Sequence, residues 1–414
     1  MTRRVVVTGL GVVSPLGTDY PTVVEALRAG TSGLRAMPEW SGRGLKSLVA
    51  GAVDVEAKRK PARLSKKILP GMSDAALYCS LAALDAVADA GLEATELRDL
   101  RCGCLVGSAV GSVDAVRRAG ELYFGNRIRR LDPFTLLRGM SSSTSATVAN
   151  LLGIQGRSYS ISSACATSAH NIGHAYELIQ AGILDRAVTG GGEDVSELIT
   201  ASFHALRLAL STHFNDSPAR ASRPFDTDRD GFVISGGAGM VVLEELESAR
   251  TRGATVRAEV AGYAATSDGF DLVLPEPEGR QAATCMELAL ESGNLKPDDV
   301  DYVNCHATAT AQGDLAEVEA LRRVFGSAPP PFSSTKSMTG HGLGAAGALE
   351  SIYSIGMIEQ GFIAPSINVE SPDPAVADLD LVIEAREAVL DVVLSNNFGF
   401  GGTNASLVLR RFDG

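Results

Sequence analysis

Histidine and cysteine are scarce in this chain, with six of each among 414 residues, and basic residues are outnumbered, 37 Lys and Arg against 49 Asp and Glu. The formal charge of −12 argues against general nucleic-acid binding, which needs a basic field. The cysteines at 79, 102, 104, 165, 285 and 305 have no disulfide-framework spacing, so reduced thiols are expected. Cys102-x-Cys104 lacks the second ligand pair of a zinc site, and no metal is expected. No apolar run approaches the length of a membrane span. The run after Thr2-Arg3-Arg4 is too short for a signal peptide. A cytoplasmic protein with no membrane contact is the expectation. Linkers are missing too: Pro329-Pro330-Pro331 is the one proline run, too short for a hinge.

Apolar runs of strand character occur at 5–8, 103–106, 186–189, 240–244, 302–304 and 392–394, alternating with helical patterns at 73–90, 169–181, 280–292, 315–324 and 344–360. That alternation indicates an α/β architecture. Two segment pairs resemble each other. The small-residue start and helical run from Cys165 to Gly182 parallels Gly344 to Gly361, and Gly236-Gly237-Ala238-Gly239 with its apolar run parallels Gly401-Gly402-Thr403-Asn404. Two α/β halves related by duplication, 1–255 and 256–414, account for both pairs. Chance similarity between Gly-rich turns accounts for them equally well.

Cys165 sits in Ser162-Ser163-Ala164-Cys165-Ala166-Thr167-Ser168-Ala169, before an amphipathic helical pattern. Small neighbours let a carbonyl approach the sulfur. The helix start supplies free N–H groups and a positive dipole end, which favour thiolate and an oxyanion. The alternative is a buried structural thiol, and Cys305 in its strand position is expected to be one. Among the histidines, 170, 174 and 204 fall in helical patterns and 213 beside a turn, so packing or surface roles are expected. His306 ends a strand-like run, before Ala307-Thr308-Ala309-Thr310, and His341 lies in the Gly-rich turn Lys336-Ser337-Met338-Thr339-Gly340-His341-Gly342. Two imidazoles and a lysine suit a carbonyl oxygen on which negative charge develops. Asn396-Asn397-Phe398-Gly399-Phe400-Gly401-Gly402-Thr403-Asn404 adds a turn that can aim N–H groups at an anion.

Taken in order, these four motifs resemble the β-ketoacyl-ACP synthases of the thiolase superfamily, nearly end to end. The look is closest to synthase I and II and to the type II polyketide ketosynthases. The resemblance implies a thiolase-like fold in layered α-β-α-β-α arrangement, with the nucleophile in the first half and both catalytic histidines in the second. It implies decarboxylative Claisen condensation of malonyl-ACP with an acyl chain carried on Cys165, giving 3-ketoacyl-ACP. Backbone N–H groups of Cys165 and Phe400 form the oxyanion hole, and His306 and His341 support the enolate. Lys336 polarises the His341 region with Glu317 as its ionic partner, Thr308 and Thr310 hold pantetheine, and Phe400 gates malonyl entry. Val110 and either Phe203 or His204 line the acyl pocket. The acidic acyl carrier protein docks on Lys67, Arg127 and Arg130, within otherwise solvated basic runs at 58–67 and 127–130. No cofactor is needed, since phosphopantetheine arrives on the carrier. The partner chain is a second copy or a chain-length-factor-like subunit.

The family usually carries Gly in place of Ala307, Gly or Ser in place of Ala309 and Pro in place of Ala311. If position 307 needs φ > 0, alanine costs roughly 1 kcal/mol or reshapes the loop, and the alanines at 307 and 309 lean toward a specialised polyketide or polyene branch. A degradative thiolase needs a second reactive cysteine in the C-terminal Gly-rich turn, and 398–402 has none. A chain-length factor lacks the nucleophile, the synthase III class uses Cys, His and Asn, and neither a papain-like hydrolase nor a redox thiol has use for this set.

Overall fold

Two glycines in the first strand set how the N-terminal half packs. Strand β1 (Val5–Val13) is buried along its length. Helix α1 (Asp74–Ala90) lies so close that a Cβ on Gly9 would sit 2.1 Å from the Ala86 carbonyl oxygen and one on Gly11 1.9 Å from that of Ala82. Alanines at 75, 76, 82, 83, 86 and 90 make that approach possible. Ser73 caps the helix, its Oγ accepting from Ala76 N at 3.2 Å, and Gly91 ends it with φ 65°.

The computed structural model describes residues 3–55, 64, 68–206 and 210–414; the basic residues of the 58–67 run, Lys67 included, lie outside the described residues. The other strands of the main sheet are β2 (Cys102–Gly107), β3 (Ser158–Tyr159), β4 (Arg186–Glu193), β5 (Gly237–Glu245), β6 (Ala258–Ser267), β7 (Tyr302–Asn304), β8 (Phe332–Ser333), β9 (Val392–Gly399) and β10 (Thr403–Arg410). Their order across the sheet is β3-β2-β4-β5-β1-β6-β10-β9-β7-β8. In the first five, β3, β2 and β4 pair in parallel, and β5 pairs antiparallel with β4 and β1. In the second five, β8, β7 and β9 pair in parallel, and β10 pairs antiparallel with β9 and β6. One half therefore repeats the other strand for strand. Three residue pairs, from Val5↔Val260 to Val7↔Ala258, stitch the halves together.

The helices follow the same repeat. Helix α3 (Thr167–Gln180) separates β3 from β4, and α6 (Ala346–Gln360) separates β8 from β9. The two sequence similarities thus mark equivalent elements of a duplicated fold, not chance. Helices α1 and α2 (Ser143–Leu152) cover the outer face of the first half, and α4 (Arg280–Ser292) and α5 (Ala311–Phe325) that of the second. Helices α3 and α6 pack against strands of both halves, completing five layers, α-β-α-β-α. The helix after Cys165, expected to be amphipathic, is instead buried on most faces, and α6 is buried from Ala346 to Ile358. A helix between two sheets has no solvent face to keep polar. Fully burying side chains such as Ile172, Ile352 and Ile355 contributes about 1.5–3 kcal/mol each.

Ala307 does not need a left-handed backbone. The strained residue is Ala309, with φ 73°, held by its N–H donating to Asp314 Oδ1 at 3.1 Å and its carbonyl accepting from Gly231 N at 3.1 Å. Ala309→Gly sheds about 1–2 kcal/mol of strain. It gives up about 0.8 kcal/mol of methyl burial and 0.5–1 kcal/mol of chain entropy. Its stability is therefore expected within about 1 kcal/mol of the unsubstituted protein. Ala307→Gly, with no strain to shed, is expected to lose about 1–2 kcal/mol on the same terms. Thermal melting of both variants checks the order, and a less stable Ala309→Gly would move the strain back to position 307.

Candidate active site

The turn carrying Cys165 enters the central layer with Ala164 at φ 49°, and one 3-10 turn (Ala164–Ala166) leads into α3. Cys165 is buried at that point. From the other half, Gly399 at the end of β9 comes so close that a Cβ there would lie 3.1 Å from both Cys165 N and Ser163 O. The following residue, Phe400, brings its backbone N–H near enough to the Cys165 sulfur to favour the thiolate.

His341 reaches the sulfur from the turn before α6, its Nε2 2.9 Å from Cys165 Sγ. Its backbone is clamped: His341 N donates to Val233 O at 2.7 Å and Ser235 N donates to His341 O at 3.0 Å. Gly340 makes room for this at φ 72°, where a Cβ would sit 2.8 Å from Val233 O. The flanking glycines thus serve backbone geometry, and the ring itself is buried, open only toward the cavity. The His306 ring stands perpendicular to that of His341, centroids 5.3 Å apart. One ligand-type atom from each of Cys165, His306 and His341 lies within 4.8 Å of the others. Nδ1 of both rings is buried without a partner among the described residues. An orphan lone pair costs less than an orphan N–H, so the protons belong on Nε2.

Lys336 pairs with Glu350 on α6, not with Glu317 as expected from the sequence. Glu350 is the carboxylate facing the lysine across the central layer, and Asn397 Nδ2 donates to its other oxygen at 2.7 Å. Glu317 on α5 holds the loop of the first histidine: Oε1 accepts from His306 N at 2.9 Å and Asn396 Nδ2 at 3.1 Å, and Oε2 from Ala307 N at 2.7 Å. Burial pushes the Glu317 carboxyl up to about 7, against those bonds. Burial, helped by the Lys336 charge, holds His306 and His341 well below the ordinary imidazole value, so both rings are neutral near pH 7. Burial also pushes Cys165 up to about 11, with the Phe400 N–H and the Lys336 charge opposing it. The resting sulfur is a thiol, because desolvation outweighs the helix dipole expected to ionise it.

One cavity opens onto the nucleophile and both histidines. It is lined by Cys165, His306, His341 and Phe400, by Thr308 and Thr310, and by Phe203, Phe232 and Leu343. The threonine hydroxyls are 3.3 Å apart. Of the two alternatives at the pocket wall it is Phe203 that faces the cavity, stacked edge-on between Phe400 at 5.8 Å and Phe232 at 5.1 Å. His204, the next residue on a helix, points elsewhere. Val110 does not line the cavity either; in the single chain it is 43% exposed, at the start of a segment facing outward. Arg127 and Arg130 are exposed around the 3-10 turn Ile128–Arg130. Cys305 is buried and its thiol held well up by burial. Reading the sequence missed Glu350 and Phe232, which carry no local motif, and gave Asn397 no role beyond its place in the Gly-rich turn motif. His170, expected in a packing or surface role, is buried and binds Ser163 behind the nucleophile.

Comparison with known proteins gives consistent matches. Residues 2–249 match the family model described as beta-ketoacyl synthase, N-terminal domain, and residues 257–370 the corresponding C-terminal domain. The chain is 44% identical to 3-oxoacyl-[acyl-carrier-protein] synthase 1 of Haemophilus influenzae, covering 100% of both chains. It is 46% identical to the protein of that name from Escherichia coli, covering 99% of each. Among solved structures, a beta-ketoacyl synthase from Burkholderia phymatum superposes with a TM-score of 0.92 at 38% identity, over 99% of this chain and 100% of that one. The ishigamide ketosynthase/chain length factor superposes with a TM-score of 0.92 at 33% identity, over 100% of both.

The Glu317 carboxyl at about 7 lies above its ordinary value, so it takes up a proton as pH falls from 8 to 6, while the histidines stay neutral. Protonation removes an acceptor from the His306 loop. Decarboxylation of a malonyl thioester is therefore expected to fall on the acid side of an inflection near pH 7. Glu317→Gln is expected to be roughly tenfold slower, about the worth of one charge-assisted hydrogen bond, and flat across that range. A profile whose inflection survives in Glu317→Gln assigns the titration to another group.

Proposed function

The chain belongs to the β-ketoacyl synthase family, and on that premise we propose that it elongates acyl chains by decarboxylative Claisen condensation. It is a condensing enzyme of the acyltransferase type. In the first step Cys165 Sγ attacks the thioester carbonyl of an acyl carrier protein, and the pantetheine sulfur departs with the proton that the cysteine gives up. The oxyanion formed on the way accepts from the N–H groups of Cys165 and Phe400. Malonyl carrier protein then loses carbon dioxide, and its enolate oxygen accepts from Nε2–H of His306 and His341. The enolate carbon attacks the Cys165 thioester, the C–S bond breaks, 3-ketoacyl carrier protein leaves, and the departing Cys165 thiolate takes up one proton from solvent to restore the thiol. Neutral rings suit that donor task, and Lys336 helps keep them neutral. Thr308 and Thr310 hold the pantetheine arm, Phe400 gates malonyl entry with Phe203 packed against its ring, and neither metal nor cofactor is required. The observation that carries this reading is the 2.9 Å approach of His341 Nε2 to Cys165 Sγ beside the perpendicular His306 ring.

Full-length relatives at 44% and 46% identity bear the name 3-oxoacyl-[acyl-carrier-protein] synthase 1. A type II polyketide ketosynthase solved with its acyl-carrier protein matches at 30% identity. The fatty-acid branch is therefore favoured over the specialised branch to which the two alanines lean. No helix among the described residues is long and apolar enough to cross a membrane, and the working compartment is taken as the cytoplasm. Val110, Val116, Phe124, Ile128 and Leu136 are all exposed on one segment. We assign a second copy of the chain to cover them, in a homodimer.

Intact-mass measurement tests the reading directly. Incubation with saturated acyl carrier proteins is expected to add one acyl group to the protein, none to Cys165→Ser, and release it when malonyl carrier protein is added. A native mass near one chain, or an adduct that persists in Cys165→Ser, would count against it. Arg127→Glu combined with Arg130→Glu is expected to raise the KM for carrier thioesters roughly tenfold, more at low salt, and leave a small-molecule thioester unaffected. Equal losses on both substrates would point to misfolding instead of docking.

A further inference from the structure

The two oxyanion donors come from opposite halves of the chain, Cys165 from the turn before α3 and Phe400 from the turn between β9 and β10. Their spacing decides whether both reach one oxygen, and a displacement of a few tenths of an ångström is enough to lose one of them. Backbone contact at Gly399 is one constraint. The second is a side chain that the proposed chemistry leaves unused. His170 on α3 lies behind Cys165, about nine-tenths buried. Its Nδ1 is 2.5 Å from Ser163 Oγ, two residues before the nucleophile, and its Nε2 is 3.3 Å from the carbonyl oxygen of Asn404, four residues after Phe400.

The chemistry of the two contacts fixes the tautomer. A carbonyl oxygen only accepts, so Nε2 carries the proton, and the bare Nδ1 accepts from the Ser163 hydroxyl. Both outer ends are themselves anchored. Ser163 N donates to Thr167 Oγ1 at 2.9 Å, and Asn404 Nδ2 donates to Asp268 Oδ1 at 2.7 Å. The Tyr263 ring stands edge-on to the imidazole, centroids 6.4 Å apart.

We propose that His170 is a positioning residue that sets the separation of the Cys165 and Phe400 N–H donors by bridging Ser163 to Asn404 across the two halves. It touches no substrate. This rests on the condensing reading of the cavity, but concerns only the thioester oxyanion, not the enolate held by His306 and His341.

The test separates reactions that use that oxyanion site from one that does not. In His170→Ala, transfer of an acyl group from carrier protein to Cys165 is expected to slow about 10- to 100-fold in kcat, part of what losing one oxyanion donor costs. KM for the acyl carrier protein is expected to stay the same. Alkylation of Cys165 by iodoacetamide, which forms no oxyanion, is expected to stay within about threefold, because the thiol environment is kept. His170→Gln, whose amide can still donate toward Asn404 O, is expected to recover part of the transfer rate, and Ser163→Ala to lose part of it. If His170→Ala fails to fold, these two variants carry the test. Loss of alkylation in parallel with transfer, equal loss in Gln and Ala, or full transfer in the variants would overturn the proposal. If the unsubstituted protein forms no acyl adduct at all, it is the condensing reading that fails.

Discussion

Everything in the cavity depends on one close approach, that of the Gly399 backbone to the turn bearing Cys165, where a Cβ would be crowded at 3.1 Å from Cys165 N and Ser163 O. Cys165 brings a sulfur and an N–H at the head of α3, and Gly399 delivers the N–H of Phe400 to the same place. Neither half holds a complete site. The duplicated sheet makes the encounter repeatable: because α3 and α6 lie between the halves, the turns that precede both helices end up in the same central layer. The packing of that layer is thus the catalytic scaffold, and apolar burial along α3 and α6 holds polar groups at its rim in place.

Those polar groups come at a cost. Lys336 and Glu350 form a charge pair with almost no solvent contact, and such pairs rarely stabilise a fold compared with well-packed apolar residues. Its retention makes sense in electrostatic terms. A fixed positive charge in a low-dielectric layer acts on nearby titrating groups far more strongly than on the surface. It opposes protonation of both histidines and favours ionisation of Cys165, the two directions that suit neutral donors and a nucleophile. Asn397, on β9 just before Gly399, ties the carboxylate of this pair to the strand that carries the oxyanion turn.

How much of this was legible in the sequence depended on whether the cause was local. Helix α1 is bounded by a serine cap and a left-handed glycine that lie in its own segment, and it is found where the pattern places it. Strand β6 was missed, since Ala258–Ser267 has few β-branched residues and is a strand because β1 and β10 flank it. The motif residues could be picked out one by one, yet their pairing could not. Glu317 and Glu350 are both buried helical carboxylates, and only the fold decides that the second faces Lys336. The same holds for Ala307 and Ala309, adjacent in spacing and composition, of which one takes the left-handed backbone because Asp314 and Gly231 hold its amide and carbonyl. The choice between Phe203 and His204 was open for a third reason: spacing along a helix does not say which side faces a cavity, and the fold turns Phe203 there.

The duplication also explains why only one half is a nucleophile. Leu343, before α6, has φ 47°, the counterpart of Ala164 at 49° before α3, so both halves keep the strained turn. At the place of Cys165 the second half has Gly344, whose N–H donates to Glu193 Oε2 at 3.2 Å. A side chain there is impossible, for a Cβ would come within 2.6 Å of Ala109 N and 2.7 Å of that same carboxylate oxygen. Glu193 ends β4 as Gly399 ends β9, so the carboxylate fills in the second half the position where the first keeps an open N–H. Freed from holding a nucleophile, the second turn supplies His341 instead, a few residues before Gly344, and directs it at the sulfur of the first. Two copies of one turn have thus become attacker and donor, and the asymmetry rests on a glycine and a buried glutamate.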